Sequence, residues 1–293
     1  MNAFLSALGG KLAEKWLSLL VLPGALYLAV VAAAVILRHH RPFEIGLLRE
    51  TMDRVAASPA SSSPGAILLT AAGILAAATF AGLTVSALGR GIERLWYAEG
   101  TGVVGRLRIA WRRRRWDAAD ARLHRSLKAG PAARRKALRA QARRDRIGRI
   151  RPHGPSWIGD GVFGVEQRIR HCYAMQLGQI WPLLWLVVPD QCRAEITAAR
   201  DAQAASARLS AWAVLYLVAG AVWWPAVPVA VVLAVTARFR ARDSAVNLAD
   251  LVSGAVDLHG RELATRLGVA AEGPFTRDTG AAVEAALRGG VPE

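Results

Sequence analysis

Three stretches of the chain carry no Asp, Glu, Lys or Arg. Trp16 to Leu37 reads WLSLLVLPGALYLAVVAAAVIL, Ala66 to Leu88 reads AILLTAAGILAAATFAGLTVSAL, and Leu209 to Thr236 reads LSAWAVLYLVAGAVWWPAVPVAVVLAVT. At ~1.5 Å per helical residue the first run is roughly 33 Å long, enough to cross a hydrocarbon core of about 30 Å. A secretory signal would have an apolar core of only ~7–15 residues before a small-residue cleavage site. The longer run therefore predicts an uncleaved span, with Pro23-Gly24 a tolerated kink in its first half. Residues 1–15 form a short amphipathic lead-in. The second run predicts a second span. Its Ala78, Gly82 and Ser86 repeat a small residue every fourth position, a smooth stripe on which another helix can pack closely. The third run is long for one span and short for two. Trp223-Trp224-Pro225 sits near its middle. Trp favours the membrane–water boundary and proline disfavours helix at the residue before it, so a hairpin of two short helices turning there is predicted. A single tilted span is the alternative.

Charge orients these segments. The 293 residues hold 38 Lys and Arg against 22 Asp and Glu, a formal net charge of +16. Nearly all of the excess lies between Gly89 and Arg208, where 25 basic residues face 10 acidic ones. Lys and Arg collect on the cytoplasmic side of membrane spans. Arg90 and Arg94 follow the second run directly, so its C-terminal end is predicted to face the cytoplasm, the loop 38–65 the outside, and the N-terminus the inside. The hairpin returns Arg238, Arg240 and Arg242 to the cytoplasm, whereas a single span would put them outside. The predicted architecture is an all-α integral membrane protein of the cell membrane with both termini cytoplasmic. It comprises two transmembrane helices (16–37 and 66–88), a basic helical cytoplasmic domain (89–207), a short transmembrane hairpin (208–237) and a cytoplasmic amphipathic helix with tail (238–293). Two cysteines, Cys172 and Cys192, read as structural thiols in a reducing compartment.

The basic domain divides in two. In Val103 to Ile150, Leu107, Trp111, Ala119, Leu123 and Leu127 recur at helical spacing. Gly130-Pro131 breaks the pattern, and a second helix follows to about Ile147, with Leu138 and Ile147 almost its only large apolar residues. Together they predict an antiparallel pair with a basic surface built from Arg112, Arg113, Arg114, Arg115, Arg134, Arg135, Lys136, Arg139, Arg143 and Arg144. Such a surface can be solvated positive-inside charge, can be drawn to anionic headgroups at about 1 kcal/mol per basic residue, or can neutralise nucleic-acid phosphates. Nucleic acid is the weakest of the three, since neither zinc-finger spacing nor base-stacking aromatics accompany the arginines. In the second piece HGPSWIGD reads as a loop. Glu166 to Trp181 reads as a helix with Ile169, Tyr173, Leu177 and Ile180 on one face, ended by Pro182. Leu183 to Val188 is too short to span and reads as core or as an interfacial dip, and an Ala-rich helix follows from a capping Asp190. Gly159 to Gly164 matches GxGxxG, but no buried strand leads into it and position 184 is Leu rather than an acid, so a dinucleotide site is not expected.

Trp157-Ile158-Gly159-Asp160, Tyr173, Trp181-Pro182-Leu183-Leu184-Trp185-Leu186 with Pro189-Asp190, and Asp257-Leu258-His259 with Arg261 resemble a group of actinobacterial polytopic membrane proteins of unknown function. The match covers roughly Pro155 to Val269. It departs at Gly161 and Leu183, where the group's pattern has basic residues. The resemblance implies the membrane architecture and no activity.

Asp243 to Val269 carries Leu248, Leu251, Ala255 and Leu258 on one face, then Leu263 and Leu267 after Gly260, which predicts one amphipathic helix or two short ones. Asp257 and His259 fall on different faces and are not expected to cooperate in acid–base chemistry. Beyond Ala270 a short helix around Ala281 to Leu287 is expected in a mobile tail. The chain has no GxxxxGK[ST], HExxH or GxSxG, so neither enzymatic activity nor a cofactor or metal is expected. The apolar runs hold no ionisable side chain, which argues against proton-coupled transport, although Thr70, Thr79, Thr84 and Ser86 could line a pore. The leading expectation is a non-enzymatic membrane scaffold or adaptor. Its partners would be anionic lipid headgroups and a protein or a second copy of the chain. An oligomeric pore or membrane-disrupting effector assembled through the Ala78, Gly82 and Ser86 stripe, and a membrane-tethered nucleic-acid binder, are the alternatives.

Overall fold

The computed structural model describes residues 21–57, 63–130, 133–148, 150–271 and 273–289. The lead-in 1–15, the first part of the first apolar run, most of the Ser/Pro patch near residue 60 and the last four residues lie outside them. All regular structure among the described residues is helical: α1 (Leu22–Leu37), α2 (Ile45–Ala56), α3 (Pro64–Tyr97), α4 (Val103–Lys128), α5 (Arg134–Ile147), α6 (Trp157–Tyr173), α7 (Leu177–Val187), α8 (Asp190–Gly220), α9 (Ala226–Arg266) and α10 (Arg277–Leu287). The chain forms two compact units, residues 1–92 with 204–239 and residues 93–203 with 240–293.

The first unit is assembled on small residues. Pro23 lies at the very start of the described part of α1, so the expected kink falls at the edge of the described residues. Gly24 lies against α3 so closely that a Cβ there would stand 2.2 Å from the carbonyl oxygen of Ala78. Gly89 of α3 meets the backbone of Arg208 in the same way, at 3.3 Å. Ala78, Ala81, Gly82, Val85 and Gly89 form the buried face of α3, and Ala207, Ala211, Ala219, Ala226, Ala230 and Ala237 are buried in the same unit. The large apolar side chains point the other way: Leu69 is 79% exposed and Phe80 72%, with Leu26, Leu68, Val218 and Val232 all above half. Of the helices described, α3 alone is long and apolar enough to cross a membrane by length and composition, and only 17% of its most apolar window is buried. α1 and α7 are shorter apolar helices.

Helix ends at Gly220 and resumes at Ala226, the place marked in the sequence by Trp223-Trp224-Pro225. This turn is tied to the segment after α1. Trp223 Nε1 donates to the Pro42 carbonyl at 3.0 Å, the Phe43 and Trp224 rings meet edge to face at 5.6 Å, and His39 bonds the Val222 carbonyl. Tyr27, Trp212 and Tyr216 form an aromatic cluster with ring centroids 5.5 to 6.5 Å apart.

The second unit has an ordinary large-residue core. Ile169, Met175, Ile180, Leu184, Val188, Ile196, Val256, Leu263 and Val283 are buried together, joined by Trp181, Trp185 and Phe275. Leu183 to Val188 therefore belongs to a protein core. Several boundaries differ from expectation. HGPSWIGD is loop only as far as Ser156, which caps α6 by accepting from the Gly159 N–H at 2.8 Å, so Trp157 to Asp160 are helical. The expected Glu166–Trp181 helix is two helices, because Ala174 turns left-handed at φ 54° and ends α6. Pro182 sits inside α7 rather than after it. The helix from Asp190 runs on without a break into the third apolar run, and the second half of that run continues through Gly260 to Arg266.

The C-terminal segment is docked. Thr276 caps α10, and Gly280 lets that helix approach Tyr173 so closely that a Cβ would stand 1.9 Å from its carbonyl oxygen. Val283 enters the core and Glu284 Oε2 accepts the Gln176 N–H at 3.0 Å. The expectation of a mobile tail is thus corrected through Leu287.

Candidate functional site

The basic pair α4 and α5 belongs to the second unit and packs along its length. The buried face of α4 is only partly the expected one. Ala119 and Leu123 are buried as expected, together with Arg112 and Ser126, whereas Leu107, Trp111 and Leu127 are exposed, as is Leu138 of α5. What turns the helix is Arg112. Its guanidinium, 7% exposed, reaches into the loop between α5 and α6. Nη1 donates to the carbonyls of Gly154 (2.6 Å) and Ser156 (2.9 Å), and Nη2 to that of Ile147 (2.7 Å). Asp160, 2% exposed, lies 2.8 Å from Nη1 and accepts the N–H groups of His153 and Gly154 through Oδ1. Nη1 gives both its protons to the two carbonyls, so Oδ2 meets it as a charge rather than through a hydrogen bond. Arg113 adds a bond to the Pro152 carbonyl at 2.8 Å and Trp116 one to Gly148 at 2.9 Å. Arg112 is therefore a structural clamp, not a surface contact, and Arg113 is half committed to the same loop. The acid in the WIGD segment was the residue sequence reasoning missed. The available signal was the spacing Arg112, Trp116, Ala119, Leu123, Ser126, a helical stripe beginning on an arginine.

The remaining candidates divide by exposure. Arg144 is half-buried, held by Asp120 at 3.2 Å and Asp145 at 2.9 Å. Burial opposes its charge, but the bonds to Asp145 and Asp120 outweigh it and raise its pKa. Arg114, Arg115, Arg134, Arg135, Lys136, Arg139 and Arg143 are exposed, and none has a carboxylate within ion-pair distance among the described residues. The first half of α4 carries an apolar stripe. Val104, Leu107 and Trp111, three and four residues apart, are all more than half exposed, and the Arg115 guanidinium lies over the Trp111 ring at 4.6 Å. Solvated helices do not ordinarily present such a stripe among cations, whereas helices lying in a membrane interface do.

Two further ion pairs brace this unit. Arg151 holds Asp117 in a two-bond fork at 3.0 and 2.9 Å, which lowers the carboxyl's pKa. Asp257 accepts from Arg168 Nη2 at 2.7 Å and from the Tyr173 phenol at 2.8 Å, tying α9 to α6. The bond to Asp257 raises the Arg168 pKa, and burial followed by the bond to Asp257 raises that of Tyr173. His259 is near Glu262, not Asp257. The GxGxxG segment is no phosphate loop: it forms the first turns of α6, and Gly159 is required where α6 meets the Trp96 carbonyl. Among the described residues no three His, Cys, Asp or Glu side chains are placed to hold a metal ion. Cys172 and Cys192 are free.

In the first unit the small-residue stripe is already in use. Ala78 and Gly82 are buried within the chain, and Ser86, half-buried, donates to the Gly82 carbonyl at 2.9 Å. Gly24 of the chain's own α1 lies against Ala78. Thr70, Thr79 and Thr84 each donate to the carbonyl four residues back, turning their hydroxyls onto their own helix. Comparison with known protein families, curated proteins and solved structures gives no match.

Proposed function

We propose that the chain is a non-enzymatic integral membrane adaptor. Its first unit is embedded in a bilayer, and the α4–α5 pair lies against anionic headgroups on the cytoplasmic face and presents a platform to a protein partner. The observation that carries this is the inverted first unit, with alanine and glycine inside and leucine, valine and phenylalanine outside. In water such an arrangement exposes far more contiguous apolar surface than a monomer sustains, whereas in lipid it is the economical one, because close packing of small residues holds helices together where no hydrophobic force does. The low burial of α3 supports a span over the core helix of a water-soluble protein, which would pass the same test of length and composition.

Two observations support the hairpin and the polarity. Pro42 and Phe43 meet Trp223 and Trp224, which fits a turn at 221–225 on the same side of the bilayer as the loop after α1. The exposed cations of α4 and α5 fit the inner leaflet, where each is worth about 1 kcal/mol within a Debye length of the surface. Val104, Leu107 and Trp111 supply the apolar face that an interfacial helix inserts. The pore alternative is weakened because the stripe it needs is buried within the chain.

The test is topology by chemical labelling. In a chain with Cys172 and Cys192 replaced by serine, a single cysteine at position 125 should resist an impermeant maleimide in intact cells and react after permeabilisation. One at position 45 should do the reverse. Release of the protein from membranes by alkaline carbonate, or labelling of position 125 from the medium, overturns the reading.

A further inference from the structure

Helix α2 carries an apolar face that its own unit leaves partly uncovered. In IGLLRETMDRVA the large residues Ile45, Leu48 and Met52 fall three and four apart on one face, while Glu50, Asp53 and Arg54 lie round the helix from it. The helix packs on α1, and Leu47, Leu48 and Thr51 are half-buried. Ile45 remains 76% exposed and Met52 64%. Phe43, two residues before the helix, is 68% exposed and meets Trp224 edge to face at 5.6 Å. Through that contact the face joins the outward side of the hairpin, where Val218, Val222 and Trp224 are exposed. A lone exposed apolar side chain is ordinary, but several on one helix face, continuous with a larger apolar surface, mark a place of contact.

Three features identify the occupant. The start of α2 is anchored to two tryptophans, through the bond from Trp223 Nε1 to the Pro42 carbonyl and the ring contact of Phe43 with Trp224, and tryptophan favours the membrane–water boundary. Arg38, His39, His40 and Arg41 follow α1 directly, so the chain turns polar just before α2 begins. The polar side of the segment is neutral: between residues 41 and 54 three arginines face three acids, and Arg41 pairs with Glu44 at 3.3 Å and Arg54 with Glu50 at 2.9 Å. A strongly charged partner finds no complement here, unlike on α4 and α5. A zwitterionic lipid surface, apolar below and neutral above, matches both sides of the helix.

We propose that α2 lies in the plane of the outer leaflet, seated among zwitterionic lipids by Phe43, Ile45, Leu48 and Met52, with Glu50, Asp53 and Arg54 toward water. Such a helix sinks its apolar side about 5–10 Å into the boundary between headgroups and acyl chains. The proposal rests on the membrane reading of the first unit, and adds to it a lipid contact that depends on apolar area rather than on charge.

The test uses full-length protein in phosphatidylcholine nanodiscs, with Cys172 and Cys192 replaced by serine and bimane on single cysteines at 45, 46, 48, 50, 52, 53 and 69. The quencher is phosphatidylcholine bearing a nitroxide near the top or near the end of its acyl chain. Nitroxide-dependent quenching at 45, 48 and 52 is expected to exceed that at 46, 50 and 53 at least threefold, and to be stronger with the shallow nitroxide than with the deep one. Raising salt or adding phosphatidylglycerol should leave the pattern unchanged. Ile45→Asp with Met52→Asp should remove the quenching at 48. In intact cells an impermeant maleimide should reach position 45 from the medium, but at least threefold more slowly than position 50. Position 69, outward on α3, reports the membrane reading by itself. Quenching at 69 without periodic quenching along α2, or quenching at 48 that survives the double change, overturns the proposal and leaves that reading standing. No quenching at 69 overturns both. Protection of 45 and 52 from aqueous iodide that appears only with two chains per disc makes a second copy the occupant and overturns the proposal as well.

Discussion

Replacing Asp160 with alanine tests the clamp that shapes the basic pair. The substitution leaves the Arg112 guanidinium buried with three backbone carbonyls and no counter-charge, and strips the His153 and Gly154 N–H groups of their acceptor. The two side chains are only 8% and 3% exposed, so solvent screens little of the loss. Removing one partner of such a pair costs about 3–5 kcal/mol. At about 2–4 °C per kcal/mol for a unit of this size, the melting temperature of the second unit should fall by about 6–20 °C. Hydrogen exchange is expected to rise first in 148–160, the loop that Arg112 and Asp160 hold. An Arg112→Met, Asp160→Leu double variant should lose less than the two single changes together, because the uncompensated charge is gone while the orphaned carbonyls remain. The assay is a thermal melt of the detergent-solubilised protein with exchange mapped by mass spectrometry. A loss below about 1 kcal/mol for Asp160→Ala, with no local rise in exchange, would refute the clamp.

Other measurements follow from single contacts. Gly24→Ala drives a methyl into the Ala78 carbonyl and should cost about 1–3 kcal/mol, whereas Gly73→Ala, which meets open space, should be neutral or stabilising in the same melt. An environment-sensitive fluorophore on a cysteine at position 111 should shift to the blue in anionic but not neutral nanodiscs and revert in high salt. With Arg134, Arg135 and Lys136 all changed to Gln the apparent lipid affinity should drop about 100-fold, at about 1 kcal/mol each. Tyr173 has its pKa raised, so its contribution to stability is whole below the ordinary phenol value of about 10 and fades as pH climbs through the higher folded value. Tyr173→Phe should abolish that alkaline decline, and an identical pH profile in both proteins would exclude the Tyr173 phenol, through its burial and its bond to Asp257, as the source.

The helical class, the turn at Trp223 to Pro225 and the start of α8 at Asp190 were legible because each has a local cause: uninterrupted apolar composition, a proline, and an acid after a proline, although Asp190 is the first helical residue and not the cap it was expected to be. What was not legible depended on partners distant in sequence. The face α4 would bury could not be read from LRIAWRRRRW, since four consecutive arginines occupy every side of the helix and only Asp160, forty-eight residues on, selects Arg112. Leu107 and Trp111 looked like core because apolar residues at helical spacing normally are. The docking of α10 turned on Gly280 meeting the Tyr173 carbonyl, and no property of Gly280 announces that contact. Continuity of α8 and α9 was concealed by their change of character, from Ala-rich and charged to wholly apolar within one helix, which reads as a boundary although helix propensity never falters.

The alanine and glycine seams of the first unit change which positions selection can see. On the outward side one bulky aliphatic residue serves as well as another, so drift among leucine, valine and isoleucine should be nearly free there. At Gly24 and Gly89 even one added methyl presses on the neighbouring helix. Descendants of this chain would then diverge fastest in their most conspicuous letters and hold constant their least conspicuous ones. Ancestry in such a protein is best sought in the periodicity of its smallest residues.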